Sequence, residues 1–360
     1  MKKIEIKIPD KEYNVILGLK SFQQLPKLLK KEKLNKNILL VIDKNVNKYY
    51  SNLIEDTFIS INHKKIIITS SEKKKNFETL NKIHSSLIKN NFGRDTVIIA
   101  IGGGIVGDIT GFAAATFMRG IKYVQVPTTL LASVDSSVGG KTGINFNHTK
   151  NIIGSFHQPE LVVIDTEFFK TLPEEELLCG IGEIIKYCFL TDEQFFNYVK
   201  KNIQNLLSLN DASIHHVITK SIKFKGNVVA ADEKESGIRK ILNLGHTFAH
   251  AFEVEQNHKL KHGQAVIVGI TCSLYLSKQL NIISENDFRK YLDFLLLFAD
   301  KIKLQKVNIS TIYNIMKKDK KNRSNEIRFV LVNTIGNILT DVPASKKSVI
   351  YSITKGISHF

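Results

Sequence analysis

The sequence predicts two structural parts: an α/β domain over residues 1–171, built on a largely parallel sheet, and an all-helical domain over residues 172–360. Three observations carry that prediction. Short β-branched runs alternate with amphipathic stretches as far as about residue 170, the pattern of strands wound with covering helices. A glycine-rich turn joins one of those strands directly to an apolar helix. After Thr171-Leu172-Pro173 helical spacing takes over. A chain of 360 residues also exceeds the size at which one hydrophobic core usually stops growing, so two cores are expected.

In chain order, Ile38–Ile42, Lys65–Ile68, Thr96–Ile101, Tyr123–Val126 and Leu161–Asp165 read as strands. Several are continuous apolar runs, which fits strands covered on both faces. Phe77–Ile88 carries apolar residues at helical spacing. Thr171 two residues before Pro173, with Glu174, Glu175 and Glu176 in the next turn, marks a helix start and places the boundary near Leu172. Beyond it Lys200–Leu209, His215–Val229, His246–Glu255, Ala265–Gln279 and Glu285–Phe298 read as helices. Arg328–Val332 is too brief for periodicity to separate strand from helix.

Composition excludes several classes. With 43% hydrophobic and 24% charged residues the chain is neither disordered nor fibrous. A formal charge of +17 raises the question of nucleic acid, since a basic surface attracts polyanions. The charge is mostly lysine spread along the chain, with no basic stripe interleaved with aromatics and no docking helix, so no nucleic-acid partner is expected. Three cysteines without CxxC spacing give no disulfide framework and fit a reducing compartment. The first ten residues alternate charge with isoleucine and form no signal peptide, and no run approaches a membrane span; a cytoplasmic protein without membrane contact is expected.

Gly102-Gly103-Gly104-Ile105-Val106-Gly107-Asp108 contains GxGxxG, and it lies between a strand and an apolar helix. A glycine turn can serve packing alone. This placement favours a pyrophosphate at a helix amino terminus and hence a Rossmann-like nucleotide-binding domain. The strand that follows ends in Pro127 rather than in a ribose-binding acid, while Asp43 ends an earlier strand, so the topology is a variant with Asp43 available to the ribose. Asp135 to Thr142 resembles a P-loop with aspartate for the first glycine. A carboxylate repels phosphate there, which excludes an NTPase and leaves a small-residue loop presenting Asp135 and Lys141, closely followed by Lys150 and Asn151.

His246 and His250 stand at i and i+4 on one helix, and His262 follows in His262-Gly263. Such a pair alone is commonly two ordinary helix histidines, each satisfied by a carbonyl. A third imidazole and a carboxylate make a divalent-metal site, because a catalytic metal uses three protein ligands and keeps one position open. Glu183, one turn from Lys186 in an apolar, glycine-bearing helix, is the natural carboxylate for that cluster.

In order along the chain, GGGIVGD, MRG, VPTTLLASVDSSVGGKTGIN, KNIIGSF, FFKTLP, GEIIKY, VVAADE, RKILNLGHTFAH, HG and DKK ahead of RFVL resemble the 3-dehydroquinate synthase family of sugar phosphate cyclases. The resemblance implies an NAD-binding α/β domain, a helical metal- and substrate-binding domain, one divalent metal (zinc or cobalt) in the cleft between them, and a homodimer. It implies Glu183, His246 and His262 as metal ligands, with His250 nearby in the substrate pocket. Around NAD it places Asp43, Glu72, Lys75, Gly104, Ile105, Gly107, Asp108, Thr128 and Thr129, with Lys141, Lys150, Phe168 and Thr171 close by. Substrate contacts fall to Asp135, Lys141, Asn151, Lys186, Lys225, Arg239 and Asn243, with Arg119 reaching from a partner subunit and one of Lys320 and Lys321 closing over the site.

The implied reaction converts 3-deoxy-D-arabino-heptulosonate 7-phosphate to 3-dehydroquinate and phosphate, through transient NAD oxidation, phosphate elimination, re-reduction, ring opening and intramolecular aldol closure. That places the chain in the shikimate pathway of aromatic amino acid biosynthesis. The alternatives are a metal-dependent NAD polyol dehydrogenase of the glycerol type and another sugar phosphate cyclase. Lys141, Lys150, Lys186, Lys225 and Arg239 form an anion-binding set that a neutral polyol does not need. Two positions depart from the family. Ser71 stands before Glu72 where glycine is usual, and Gln264 follows His262-Gly263 where glutamate is usual. If residue 264 supports His262, its amide predicts weakened metal binding.

Overall fold

A computed structural model describes residues 1–9, 11–147, 149–318 and 326–360. Contacts group the chain into two compact units, Met1–Pro173 with Leu209–Lys234, and Glu174–Ser208 with Glu235–Phe360.

The first unit carries β1 (Lys2–Ile8), β2 (Lys11–Leu17), α1 (Leu25–Lys31), β3 (Ile38–Asp43), α2 (Lys44–Phe58), β4 (His63–Ile68), α3 (Phe77–Lys89), β5 (Val97–Gly102), α4 (Gly104–Thr116), β6 (Lys122–Pro127), β7 (Lys141–Phe146), β8 (Thr149–Phe156) and β9 (Leu161–Ile164). Seven strands form one sheet in the order β1-β2-β9-β6-β5-β3-β4. Every pairing is parallel except that of β1 with β2. β3, β5 and β9 are buried along their whole length, so one apolar residue type suits both faces and the strands read as unbroken runs. Two cores result, one packing Phe22, Phe58 and Phe168 on one set of strand residues, the other packing Leu80, Ile109 and Phe112 on the alternate set. β7 and β8 pair separately as an antiparallel hairpin.

The chain then leaves for α5 (Glu174–Leu190), α6 (Glu193–Lys201) and α7 (Ile203–Leu207), and returns to the first unit with α8 (Asp211–Ala231). Residues 209–234, expected in the carboxyl-terminal domain, thus pack with the first unit; Gly226 of α8 lies against Ile6 of β1 so closely that an added Cβ would sit 2.7 Å from the isoleucine side chain. Helical periodicity announces the helix but does not say which core receives its apolar face.

The second unit resumes with a short 3₁₀ turn, Ile238–Asn243, then α9 (His246–Glu255), α10 (His262–Gln279), α11 (Glu285–Leu296), α12 (Ile309–Lys317), β10 (Arg328–Thr334), β11 (Asn337–Pro343) and α13 (Lys346–Ile357). It is helical apart from the β10–β11 hairpin, so the brief Arg328 run is a strand. Phe189, Phe196, Tyr291 and Phe294 form an aromatic cluster at edge and tilted angles, with centroids 4.6–6.3 Å apart. Among the described residues no helix is long and apolar enough to cross a membrane.

Candidate functional site

The second unit assembles a convergent donor set from three helices. Glu183 is fully buried on α5, while His246 opens α9 and His262 opens α10. His262 Nε2 lies 3.2 Å and His246 Nε2 3.5 Å from the same Glu183 oxygen, Oε1. One ligand atom from each of the three residues falls within 4.8 Å of the others. A tetrahedral cation with bonds of about 2.1 Å to nitrogen and oxygen separates its ligands by about 3.4 Å, so this spacing fits a three-ligand metal centre with one open position.

Glycines set that spacing. A Cβ on Gly182 would lie 2.3 Å from the Gly263 carbonyl oxygen, so α5 and α10 meet backbone to backbone beside Glu183 and His262. Gly245, at φ +77°, turns the chain into α9 immediately before His246, and a Cβ there would meet the Ile270 amide at 2.9 Å.

The electrostatics agree with the geometry. Burial and the Lys186 ammonium push the His246 imidazole well below its usual pKa. His246 Nδ1 donates to the Leu244 carbonyl at 3.1 Å, leaving Nε2 as a lone pair facing Glu183. Burial pulls His262 down too, but the carboxylates of Glu183 and Glu253 outweigh it and raise the ring to about 10. Glu183 Oε2 pairs with buried Lys186, one turn along α5. The proton that Glu183 holds on His262 occupies the place a divalent cation takes when the carboxylate and the two imidazole nitrogens act as ligands. His250 stands beside it, its ring centroid 5.4 Å from that of His246 and 6.5 Å from that of His262. Arg239 is buried on the 3₁₀ turn, and Asn243 donates to Glu235 Oε1 at 2.6 Å.

The first unit gathers a second group at the carboxyl ends of its strands. β3 lies between β4 and β5, so successive crossovers run in opposite directions on either side of β3 and β5; there Asp43 ends β3 and Gly102 ends β5. Ligands of open α/β sheets bind at such a switch point. Gly104, Ile105, Gly107 and Asp108 occupy the first turns of α4, and Thr128 and Thr129 follow β6, with the Thr128 amide bonded to the Gly102 carbonyl at 3.0 Å. Asp43 caps α2 through Oδ1, which accepts from the Asn45 and Val46 amides. Its Oδ2 is buried without a hydrogen-bond partner among the described residues.

Glu72 and Lys75 follow β4. Lys75 Nζ donates to Asp108 Oδ2 and Asn151 Oδ1, both at 2.5 Å. Asn145, which the sequence did not single out, bonds Glu72 through its side-chain amide, to O at 3.0 Å and Oε2 at 2.8 Å, and accepts the Asn151 amide at 2.9 Å. It staples this loop to the β7–β8 hairpin that carries Lys141 and Lys150. Lys225 on α8 donates to Asp135 at its carbonyl (2.7 Å) and at Oδ1 (2.9 Å).

Residues 65–179 match the family model "3-dehydroquinate synthase N-terminal" and residues 180–322 match "3-dehydroquinate synthase C-terminal". A 3-dehydroquinate synthase of Pelagibacter ubique (strain HTCC1062) is 43% identical over 357 residues, covering 96% of each chain. The chain belongs to the 3-dehydroquinate synthase family. Its fold is similar to that of 2-deoxy-scyllo-inosose synthase complexed with carbaglucose-6-phosphate, NAD+ and Co2+, with TM-score 0.92 and 22% identity over 99% of this chain and 100% of that one. It is similar also to 2-epi-5-epi-valiolone synthase from Streptomyces hygroscopicus subsp. jinggangensis 5008 with NAD+ and Zn2+ bound, at TM-score 0.88 and 22% identity over 98% and 99% of the two chains.

One expectation, the support of His262 by residue 264, is revised. Gln264 does not support His262: its Oε1 accepts the Lys261 amide at 3.2 Å and its Nε2 donates to the Lys301 carbonyl at 2.9 Å, so it caps α10. The side chain beside His262 is Glu253, seven residues after His246 on the same helix face, a spacing that could have revealed it. The Phe168 ring is buried between Phe22 and Tyr50, 5.3 and 4.9 Å from their centroids, and serves the core. Thr171 is exposed, with Oγ1 3.2 Å from the Tyr50 hydroxyl. Ser71 has extended backbone at φ −155°, which any residue adopts, so serine replaces the usual glycine without strain. Lys320 and Lys321 lie outside the described residues.

Proposed function

We propose that this chain converts 3-deoxy-D-arabino-heptulosonate 7-phosphate to 3-dehydroquinate and phosphate, with Glu183, His246 and His262 holding one zinc or cobalt ion and the Asp43, Gly104–Asp108 and Thr128–Thr129 region holding NAD. The observation that carries the reading is the spacing of the three donors about one Glu183 oxygen, 3.2 and 3.5 Å, beside buried Lys186. When bound, NAD supplies a reversible hydride acceptor and the metal a Lewis acid for alcohol and carbonyl oxygens. The chain's own residues bind and orient. Lys186 and Arg239 are cations buried in the unit that holds the donors, suited to fixed anionic groups of a small sugar-acid phosphate. Lys225 fixes the Asp135 loop, and Lys141, Lys150 and Asn151 project from the hairpin next to it in sequence. His250 is an imidazole beside the ligand set, placed to exchange a proton with bound substrate.

The working form in this reading is a cytoplasmic homodimer, with Arg119 offered to a partner. Met118, Arg119 and Gly120 take consecutive positive φ values of 51°, 68° and 122°, and Arg119 is exposed. Such backbone costs about 1–3 kcal/mol per non-glycine residue and is retained where it presents a side chain for use.

Metal analysis and phosphate release on the seven-carbon substrate, with Glu183→Gln beside the parent, test the proposal. The parent is expected to hold one equivalent of metal and release phosphate with no net NADH, and the variant to lose both properties. NADH accumulation from glycerol without phosphate release would make the chain a polyol dehydrogenase instead.

A further inference from the structure

Each histidine of the donor set has a second ring nitrogen, and the partner of that nitrogen decides which tautomer and ring orientation the metal meets. For His246 the partner is a backbone carbonyl, that of Leu244. For His262 it is a carboxylate: Nδ1 lies 3.6 Å from Glu253 Oε1 while Nε2 faces Glu183 at 3.2 Å. Glu253 is itself 6% exposed, in the last turn of the helix that His246 opens. One helix therefore supplies a ligand at its first residue and, two turns later on the same face, the group that orients a ligand from another helix.

We propose that Glu253 is a positioning residue of the metal centre: its carboxylate holds the His262 ring with Nδ1 as the donor and Nε2 turned to the ion. The inference rests on the metal reading above. It gives the support role to Glu253, not to residue 264, whose amide is engaged with Lys261 and Lys301. A carboxylate behind a ligating imidazole raises its basicity and fixes its angle, and losing such a partner typically weakens metal binding about 10- to 100-fold.

The test uses the full chain stripped of metal, with Glu253→Gln, Glu253→Ala and Glu183→Gln as variants. Zinc affinity is read by competition with a chromophoric chelator, and ligand geometry by the visible spectrum of the cobalt form. Glu253→Ala is expected to raise the zinc Kd about 10- to 100-fold and to alter the cobalt bands. Glu253→Gln keeps an oxygen acceptor and is expected to recover the parent spectrum with a smaller, about threefold to tenfold, loss. Parent affinity and parent cobalt spectrum in either variant would overturn the role, and Glu253→Gln alone decides the matter if the alanine variant does not fold. Failure of the metal reading is distinct, for then Glu183→Gln binds zinc as the parent does.

Discussion

Replacing Gly182 with alanine tests how the three donors come to be spaced for an ion. The new Cβ would stand 2.3 Å from the Gly263 carbonyl oxygen and 2.5 Å from Gly263 Cα, both backbone atoms that cannot rotate aside. Contacts under 3.0 Å essentially never occur, so α5 and α10 must part by about 0.7 Å, and by about 1.1 Å to reach ordinary contact at 3.4 Å. Glu183 and His262 are the immediate neighbours of these two glycines, and metal-ligand distances tolerate only about 0.2 Å. Overpacking of this kind costs about 1–3 kcal/mol. If that strain is relieved by separating the two ligands, zinc affinity falls about 5- to 150-fold. Zinc competition gives the affinity, and circular dichroism with a urea midpoint in excess chelator gives the fold. Gly226→Ala is the control, since its Cβ meets only the tip of the Ile6 side chain, at 2.7 Å, in the other unit. A folded Gly182→Ala protein that binds zinc as tightly as the parent refutes the idea that this glycine contact spaces the ligands.

Gln264→Glu is expected to leave zinc affinity within about twofold of the parent while costing about 1 kcal/mol in urea unfolding, because a carboxylate cannot donate to the Lys301 carbonyl; a tighter metal site would restore the role first expected of this position. Asn145→Ala is expected to weaken NAD binding about tenfold, since it frees the Glu72–Lys75 loop from the hairpin. Isothermal titration with NAD measures this, and an unchanged Kd would mean that the loop holds its place without the staple.

What was legible in the sequence follows from burial. β3 and β5 are covered on both faces and lie within a residue of the apolar runs that announced them. β1 carried a legible signal that was missed: Lys3, Glu5 and Lys7 alternate with Ile4, Ile6 and Ile8, the period of a strand buried on one face. The β7–β8 hairpin read as a loop because Gly143 pairs with Gly154, leaving no side-chain alternation at its centre. α2 is interrupted at Tyr50, where φ is −128°, and that break blurs its period. In the site, the HxxxH spacing and the glycine-bearing Glu183 helix pointed to the donor set that the geometry brings together. Which histidine binds and which stands beside it came from the family pattern, since helix spacing treats His246 and His250 alike. The Leu244 carbonyl and the capping by Gln264 depend on main-chain positions that no residue type announces.

Because α8 belongs to the sheet-bearing unit although α5 to α7 precede it, no single cut between residues 173 and 174 yields two self-sufficient fragments. A chain emerging from the ribosome completes its sheet-bearing unit only once residue 234 is available, and by then the Glu183 helix has already been synthesised without either histidine. The set Glu183, His246 and His262 is therefore complete in the chain only after the last residue of the sheet-bearing unit has been added.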